Sequence, residues 1–323
     1  MNHHSKLSSI NHFSTSTTFL IFCFLIVFTA CQTQDKTTEA ESNKAAEAED
    51  WITLFNGKDL SGWDIKLSGY DLNDNYNETF VVEDSMIRVK YDNYDEFNDA
   101  FGHMYYKDPF SYYKLVFDYR FVGDQLKGGA TWNVRNSGVM LHSQSAESNE
   151  FDQDFPVSIE LQLLGGLNEG ERYTGNVCTP GTAVVMGDTV NYNHCINSTS
   201  KTYNGDQWVH VEAIVLGGES MSFIIEGDTV LSFDQPQITK GFIDADGESV
   251  GEDWGSFGVT RDEADWVSKG GEVITEGYIA LQAESHPIDF KNIKLLNLCG
   301  CKDEKAKNYK SYYLKDAPEL CEY

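Results

Sequence analysis

Of the chain's 323 residues, 51 are Asp or Glu and 24 are Lys or Arg, giving a formal net charge of −27. That balance excludes nucleic acid and anionic membrane surfaces as partners, since both are held through basic patches. It suits a soluble exported protein, and solubility is reason enough for it.

Residues 1–18 are polar and lead into an apolar run at 19–28. About ten residues fall short of the roughly 20 that span a bilayer, so the run reads as part of a secretory signal. The next residues, Val27-Phe28-Thr29-Ala30-Cys31, are similar to a lipobox, where small residues precede the cysteine that takes the lipid. Residues 1–30 are therefore expected to be a lipoprotein signal peptide and Cys31 the lipidation site. Residues 31–50 contain no aromatic side chain and are expected to be a disordered tether. The expected location is the outer membrane, with the lipid anchor as the membrane contact.

From Trp51 the composition changes, and 51–298 has the length of one large all-β domain. Phe80-Val-Val-Glu-Asp-Ser-Met-Ile-Arg-Val reads as strand, Asp-Ser turn, strand. Lys114-Leu-Val-Phe-Asp-Tyr-Arg-Phe and Trp208-Val-His-Val-Glu-Ala-Ile-Val alternate apolar and polar residues. Met221-Ser-Phe-Ile-Ile-Glu, a Gly227-Asp228 turn and Thr229-Val-Leu-Ser-Phe read as a hairpin. Segments at 278–284 and 288–295 close the domain. Many short strands without a sustained helical period indicate a sandwich or barrel. Two carboxylate-dense segments, 91–99 and 244–253, look like loop insertions that could hold calcium, against the simpler reading of solvated acidic loops.

Seven cysteines are present. Cys23 leaves with the signal and Cys31 carries the lipid, so five remain in an oxidising compartment. Cys178 with Cys195 and Cys301 with Cys321 could close two loops and leave Cys299 over. Cys299 and Cys301 could also exchange roles, and the pairing stays open.

Three strand segments carry the candidate chemistry. In Asn136-Ser-Gly-Val-Met-Leu-His142, alternation puts Asn136, Gly138, Met140 and His142 on one face. In Ile159-Glu-Leu-Gln-Leu it sends Glu160 and Gln162 out together, and in Ile279-Ala-Leu-Gln-Ala-Glu it does the same for Gln282 and Glu284. If the strands share a sheet, two carboxylates, amides and an imidazole converge. The bland reading, a solvated sheet face, is about as good on these residues alone.

Phe55-Asn-Gly-Lys-Asp-Leu-Ser-Gly-Trp63 resembles the opening signature of the 3-keto-glucoside lyase/hydratase family. The family's other marks follow in order: Asn136-Ser-Gly-Val-Met-Leu, Ile159-Glu-Leu-Gln, Gln207-Trp208, Asp234-Gln-Pro, Gly277-Tyr-Ile-Ala-Leu-Gln-Ala-Glu and Pro287-Ile-Asp-Phe-Lys-Asn-Ile. The resemblance covers 51–298. It implies an all-β, concanavalin A-like jelly-roll sandwich of two curved antiparallel sheets with a ligand groove. It also implies chemistry on a sugar already oxidised to a ketone at C3, by proton removal at C2, loss of the C1 substituent and hydration.

Such a site needs a base, an acid and a donor or cation at the enolate oxygen. Glu160 is the expected base, Glu284 the second carboxylate as acid or metal ligand, and His142 the donor or metal ligand. Gln162, Gln282 and Asn136 would orient hydroxyls, and Trp132 is a candidate substrate-binding aromatic. A divalent metal, calcium or a transition ion, is left open as a cofactor. The partner expected is an oligosaccharide or other glycoside. The chain departs from the family pattern at His142, where many members carry Arg, and at Ala283-Glu284, where some carry Asp-His. The Cys178-to-Cys195 segment likewise replaces what is often a short loop. A laminarinase-type glycosidase would need a Glu-x-Asp-x-x-Glu strand, which the chain lacks. A non-catalytic carbohydrate-binding module is the competing function.

Residues 299–323 form a separate cysteine-bracketed segment. Gly300, Cys301, Asp303, Ala306, Asn308, Tyr309, Asp316, Cys321 and Tyr323 resemble a short module of exported proteins from Bacteroidetes-type bacteria. It is expected to be structural or a display element. Asn77-Glu-Thr and Asn197-Ser-Thr fit the glycosylation pattern and are read as chance.

Overall fold

Alternating apolar and polar residues pair into two antiparallel sheets in the computed structural model of the protein, which describes residues 49–239 and 254–323. The expected signal peptide, Cys31 and the second acidic loop at 244–253 lie outside the described residues, as does the tether up to residue 48. Among the described residues no helix is long and apolar enough to cross a membrane.

In chain order the first strands are β1 (Trp51–Thr53), β2 (Trp63–Leu67), β3 (Phe80–Glu83), β4 (Met86–Val89), β5 (Gly102–Tyr106) and β6 (Tyr112–Phe121). Then come β7 (Asn136–Ser143), β8 (Ile159–Leu164), β9 (Asn176–Cys178), β10 (Thr182–Met186), β11 (Thr189–Asn191) and β12 (Cys195–Ile196). The rest are β13 (Val209–Leu216), β14 (Ser220–Ile225), β15 (Asp228–Ile238), β16 (Tyr278–Ala283), β17 (Ile288–Asn297), β18 (Cys299–Gly300) and β19 (Lys315–Asp316). The larger sheet runs β11-β10-β15-β14-β13-β6-β17-β4-β3, with β1 also on β17; the smaller runs β12-β9-β8-β7-β16-β5-β2. This is a jelly-roll sandwich.

The core lies between the sheets. Phe117, Val211, Phe223, Phe290 and Leu295 of the larger sheet meet Val139, Leu141, Leu161, Leu163, Ile279 and Leu281 of the smaller. Each such side chain, once buried, contributes about 1.5–3 kcal/mol. Because these residues fill alternate positions, their neighbours in the smaller sheet must face outward. That alternation positions the site.

Turns follow local chemistry. Asp84 and Ser85 both have positive φ (51° and 59°) and join β3 to β4, the geometry a two-residue hairpin prefers. The β14–β15 turn falls one residue earlier than expected. Glu226 and Gly227 take positive φ, and Asp228 joins the ladder opposite Ile225. The opening motif proves to be scaffolding: Asn56 Oδ1 accepts the amides of Lys58 and Asp59 at 2.7 and 3.1 Å, and the Trp63 indole donates to the Leu54 carbonyl at 3.0 Å.

Disulfides join Cys178 to Cys195 and Cys301 to Cys321, and Cys299 is the free cysteine among the described residues. The first stitches β9 to β12, whose residues pair directly. The second closes the C-terminal segment. Cys299 and Tyr312 of that segment pack with Trp51, Tyr112, Leu296 and Leu298.

Candidate functional site

The outer face of the smaller sheet collects the polar residues that alternation sends away from the core. Glu160 pairs with Met140 and Gln162 with Gly138, while Leu281 pairs with Val139. One step further puts Gln282 beside Gly138. Glu160, Gln162, Gln282, Asn136 and Gly138 therefore share one face on three adjacent strands.

Gly138 makes room for Glu160. A Cβ there would stand 2.7 Å from Glu160 Cγ and 2.8 Å from Cδ, so any side chain at this position must displace the Glu160 side chain. The Glu160 carboxyl folds into that space and is 6 % exposed. Burial pushes its pKa up to about 8. Glu284, 2 % exposed, is also held well above the usual carboxylate range, first by burial and then by the facing charge of Glu160, against the pull of Arg172. The two carboxyls are near enough for the charge of one to act on the other, and their titration belongs to the pair.

Glu284 stands just beyond the end of β16, where Ser285 adopts a positive φ of 71°. Three contacts fix that turn. The Ser285 amide donates to Tyr91 Oη at 2.8 Å, its carbonyl accepts the Leu126 amide at 2.9 Å, and its hydroxyl accepts Gln125 Nε2 at 2.9 Å.

A cavity of about 690 Å³ opens on this face, lined by Trp132, Asn136, Phe155, Glu160, Gln162 and Arg172 among others. Trp132 is 54 % exposed and lies parallel to Phe101, with centroids 6.3 Å apart. Gln162 accepts from Asn176 Nδ2 at 2.9 Å. Gln282, fully buried, and Glu284 lie off the cavity wall. Among the described residues, neither amide atom of Gln282 has a hydrogen-bond partner, nor have Glu284 Oε2 and Asn136 Oδ1. Buried polar atoms are nearly always paired, so such a cluster calls for a partner, ordered water or a ligand.

His142 departs from the strand-parity expectation. The β7–β16 register shifts between Tyr278 and Ala280, and His142 takes φ of 48°. This bulge turns the ring off the face it would otherwise share with Asn136. Its Nε2 donates to the Gly217 carbonyl at 3.1 Å, and its ring meets Tyr113 edge-on at 6.1 Å, on the core side. Burial brings its pKa down to about 4, so it is neutral. It does not join the carboxylates.

Of three polar residues that sequence reasoning passed over, Arg172 lines the cavity. Arg172 lies in the β8–β9 connection, where no periodicity points to it. Its Nη1 donates to the carbonyls of Gly165 and Arg135 at 2.8 and 3.1 Å, and its charge acts on Glu284. Among the described residues neither ring nitrogen of His286, two residues past Glu284, has a partner, and burial, then Arg135, bring its pKa down to about 4. His103 of β5 pairs with Gln282. Its signal was an alternating strand, 102–106, with a polar residue at an outward position.

For a cation, the face offers two carboxylates and the amide oxygens of Gln282 and Asn136, all hard donors. Among the described residues no group of three His, Cys, Asp or Glu side chains is placed to hold a metal ion, including the first acidic loop.

Two crystal structures from Parabacteroides distasonis ATCC 8503, each with a provisional glycosyl hydrolase designation, are similar at 20 % and 18 % identity. Each covers 77 % of this chain, with 100 % and 94 % of their own lengths and TM-scores of 0.44 and 0.43. The carbohydrate-binding module CBM66 from Bacillus subtilis is similar at 8 % identity, over 78 % of this chain and 98 % of its own, with a TM-score of 0.38. No curated protein matches this chain in sequence. The profile of the 3-keto-alpha-glucoside-1,2-lyase-like domain matches residues 50–296, nearly the whole of the sandwich, and the chain belongs to that family.

Proposed function

We propose that this carbohydrate-active domain cleaves 3-keto-glycosides by elimination and hydration. The observation that supports the reading is the pair of buried, mutually interacting carboxyls, Glu160 and Glu284, both with raised pKa values, and the Arg172 charge acting on Glu284. A 3-keto sugar needs one group to take the C2 proton and another to protonate the departing C1 oxygen. In a coupled pair, the carboxyl that gives up its proton first can serve as base and the one that keeps it as acid.

In this scheme ionised Glu160 takes the C2 proton. The freed electron pair forms the C1–C2 double bond as the C1–O bond breaks, and Glu284 protonates the leaving alcohol. Negative charge building on the C3 oxygen meets Arg172, which lines the cavity and whose charge acts on Glu284. Water then adds across the double bond, its hydroxyl to C1 and a proton to C2. The sum is hydrolysis, with the ketone retained. Arg172 thus takes the part that sequence reasoning gave to His142. A divalent ion bound by Glu160 and Glu284 would polarise the same ketone.

The purified protein should convert 3-keto-disaccharides through an ultraviolet-absorbing enone, and Glu160→Gln should stop enone formation with little loss of sugar binding. Full activity of that variant would overturn the assignment of the base. Loss of activity on chelation would add the metal. The exposed Trp132 favours a second reading, a binding module that stacks sugars without chemistry. In that case Glu160→Gln keeps full affinity and wild type yields no enone.

We also propose that Cys31 carries a lipid that anchors the domain at the outer membrane. Cys31→Ser should release the protein from the membrane fraction, and unchanged fractionation would count against the anchor.

A further inference from the structure

The polar surface continues past the open cavity. Lys66 of β2 pairs with His103 of β5, which pairs with Gln282 of β16. Gly138, Gln162 and Asn176 follow on β7, β8 and β9. One row of polar positions, with a glycine gap filled by Glu160, therefore crosses six strands. At the usual strand spacing it spans roughly 24 Å, much longer than one sugar ring.

Only the Gln162 end of the row borders the open cavity. At the other end Phe155 packs on Phe101 at 4.8 Å and meets the His103 ring at 6.3 Å. The Phe151 carbonyl is held down by Lys66 Nζ and the Gly69 amide, each at 2.8 Å. Under this cover His103 is 3 % exposed, and neither its Nε2 nor the Gln282 amide atoms find a partner among the described residues. Leaving such atoms buried and unpaired costs about 1–3 kcal/mol each. The adjacent outward positions, Tyr105, Met140 and Ala280, form an apolar cluster. The polar row is therefore a departure from the way this same face is otherwise covered.

We propose that His103 and Gln282 form a second sugar subsite, continuous with the Glu160 cavity and covered by Phe155 until a longer oligosaccharide binds. The chemistry fits a neutral polyol. The Gln282 amide offers a donor and an acceptor. The His103 imidazole, kept neutral by burial and by the nearby Lys66 charge, offers one of each. Lys66 spends two of its donors on the carbonyls of Leu67 and Phe151, so it acts as the latch of the cover. The proposal rests on reading the Glu160 cavity as a sugar site. It does not depend on the reaction performed there.

The test is calorimetric titration of the full-length protein with cellobiose and cellotriose, and with maltose and maltotriose. In at least one series the trisaccharide should bind about tenfold more tightly than the disaccharide. His103→Phe should bring that ratio close to one, whereas Phe155→Ala, which removes the cover, should raise it. Lys66→Met gives a second way to loosen the cover if Phe155→Ala does not fold. Equal affinity for di- and trisaccharides in wild type overturns the subsite. So does a His103→Phe variant that weakens both sugars by the same factor, which would mark a structural role satisfied by buried water. Failure of the lyase reading is separate, since it shows as missing enone with the binding ratio intact.

Discussion

Replacing Gly138 with alanine would set a methyl carbon 2.7 Å from Glu160 Cγ and 2.8 Å from Cδ. The carboxyl would have to leave its place over β7, while the fold around it has little reason to change. Gly138→Ala should therefore cost about 1–3 kcal/mol of stability and at least tenfold in enone formation, read by thermal melting and by absorbance. Glu160 itself carries a pH signature. Its folded pKa of about 8 lies above the ordinary 4.5, so the protonated form is the one the fold favours. That stability is complete below pH 4.5 and is lost as pH rises through 8. Wild type should lose on the order of 2–5 kcal/mol over this window, and Glu160→Gln should lose much less. Melting curves at pH 5 and pH 9 decide it, and parallel losses in the two proteins would contradict a buried, proton-holding Glu160.

At the scale of elements, strand parity read from sequence was enough to put Glu160 with Gln162 and to send Gln282 to the same face, because Ile159, Leu161, Ile279 and Leu281 had to be in the core. Parity fails where a ladder slips. The bulge that turns His142 inward depends on Gly277, whose Cβ would meet His142 Cα at 2.6 Å, and such a close approach between two strands leaves no periodic trace. Arg172 was illegible for another reason: it reaches the site from a connection, through backbone carbonyls of distant residues. Connections also set what covers the outer face. The Glu150 carboxyl accepts the amides of Thr260, Arg261 and Asp262 at 2.9, 2.9 and 3.0 Å. Burial opposes ionisation, but these donors prevail and hold its pKa below the usual range. The clamp is present above that range and is lost as pH falls through the lowered value. Glu150→Gln should free the 254–262 segment, with faster limited proteolysis there at pH 7 and little further change on acidification.

On the scale of the whole molecule, the two disulfides serve different structures. Cys178–Cys195 ties strands of the smaller sheet and lines the cavity, whereas Cys301–Cys321 closes a segment whose buried side chains are few, Cys301, Ala306 and Ala317 among them. So small a core does not hold a fold without a covalent staple. A sequence separation of 20 corresponds to about 3 kcal/mol on the chain-entropy account. The segment leaves the domain from the end of β17, a strand of the larger sheet, while the carboxyl pair lies on the outer face of the smaller one. Replacing Cys301 and Cys321 together with serine should therefore release residues 300–323 to proteolysis. The main melting transition should stay within a few degrees, and enone formation within about twofold. The Lys310–Asp50 ion pair at 2.9 Å cannot substitute for the staple, because Asp50 is exposed and such a pair contributes about 0–1 kcal/mol. If turnover fell in step with loss of the segment, the segment would have to reach the substrate or stabilise the smaller sheet through the core, and its separation from the site would be wrong.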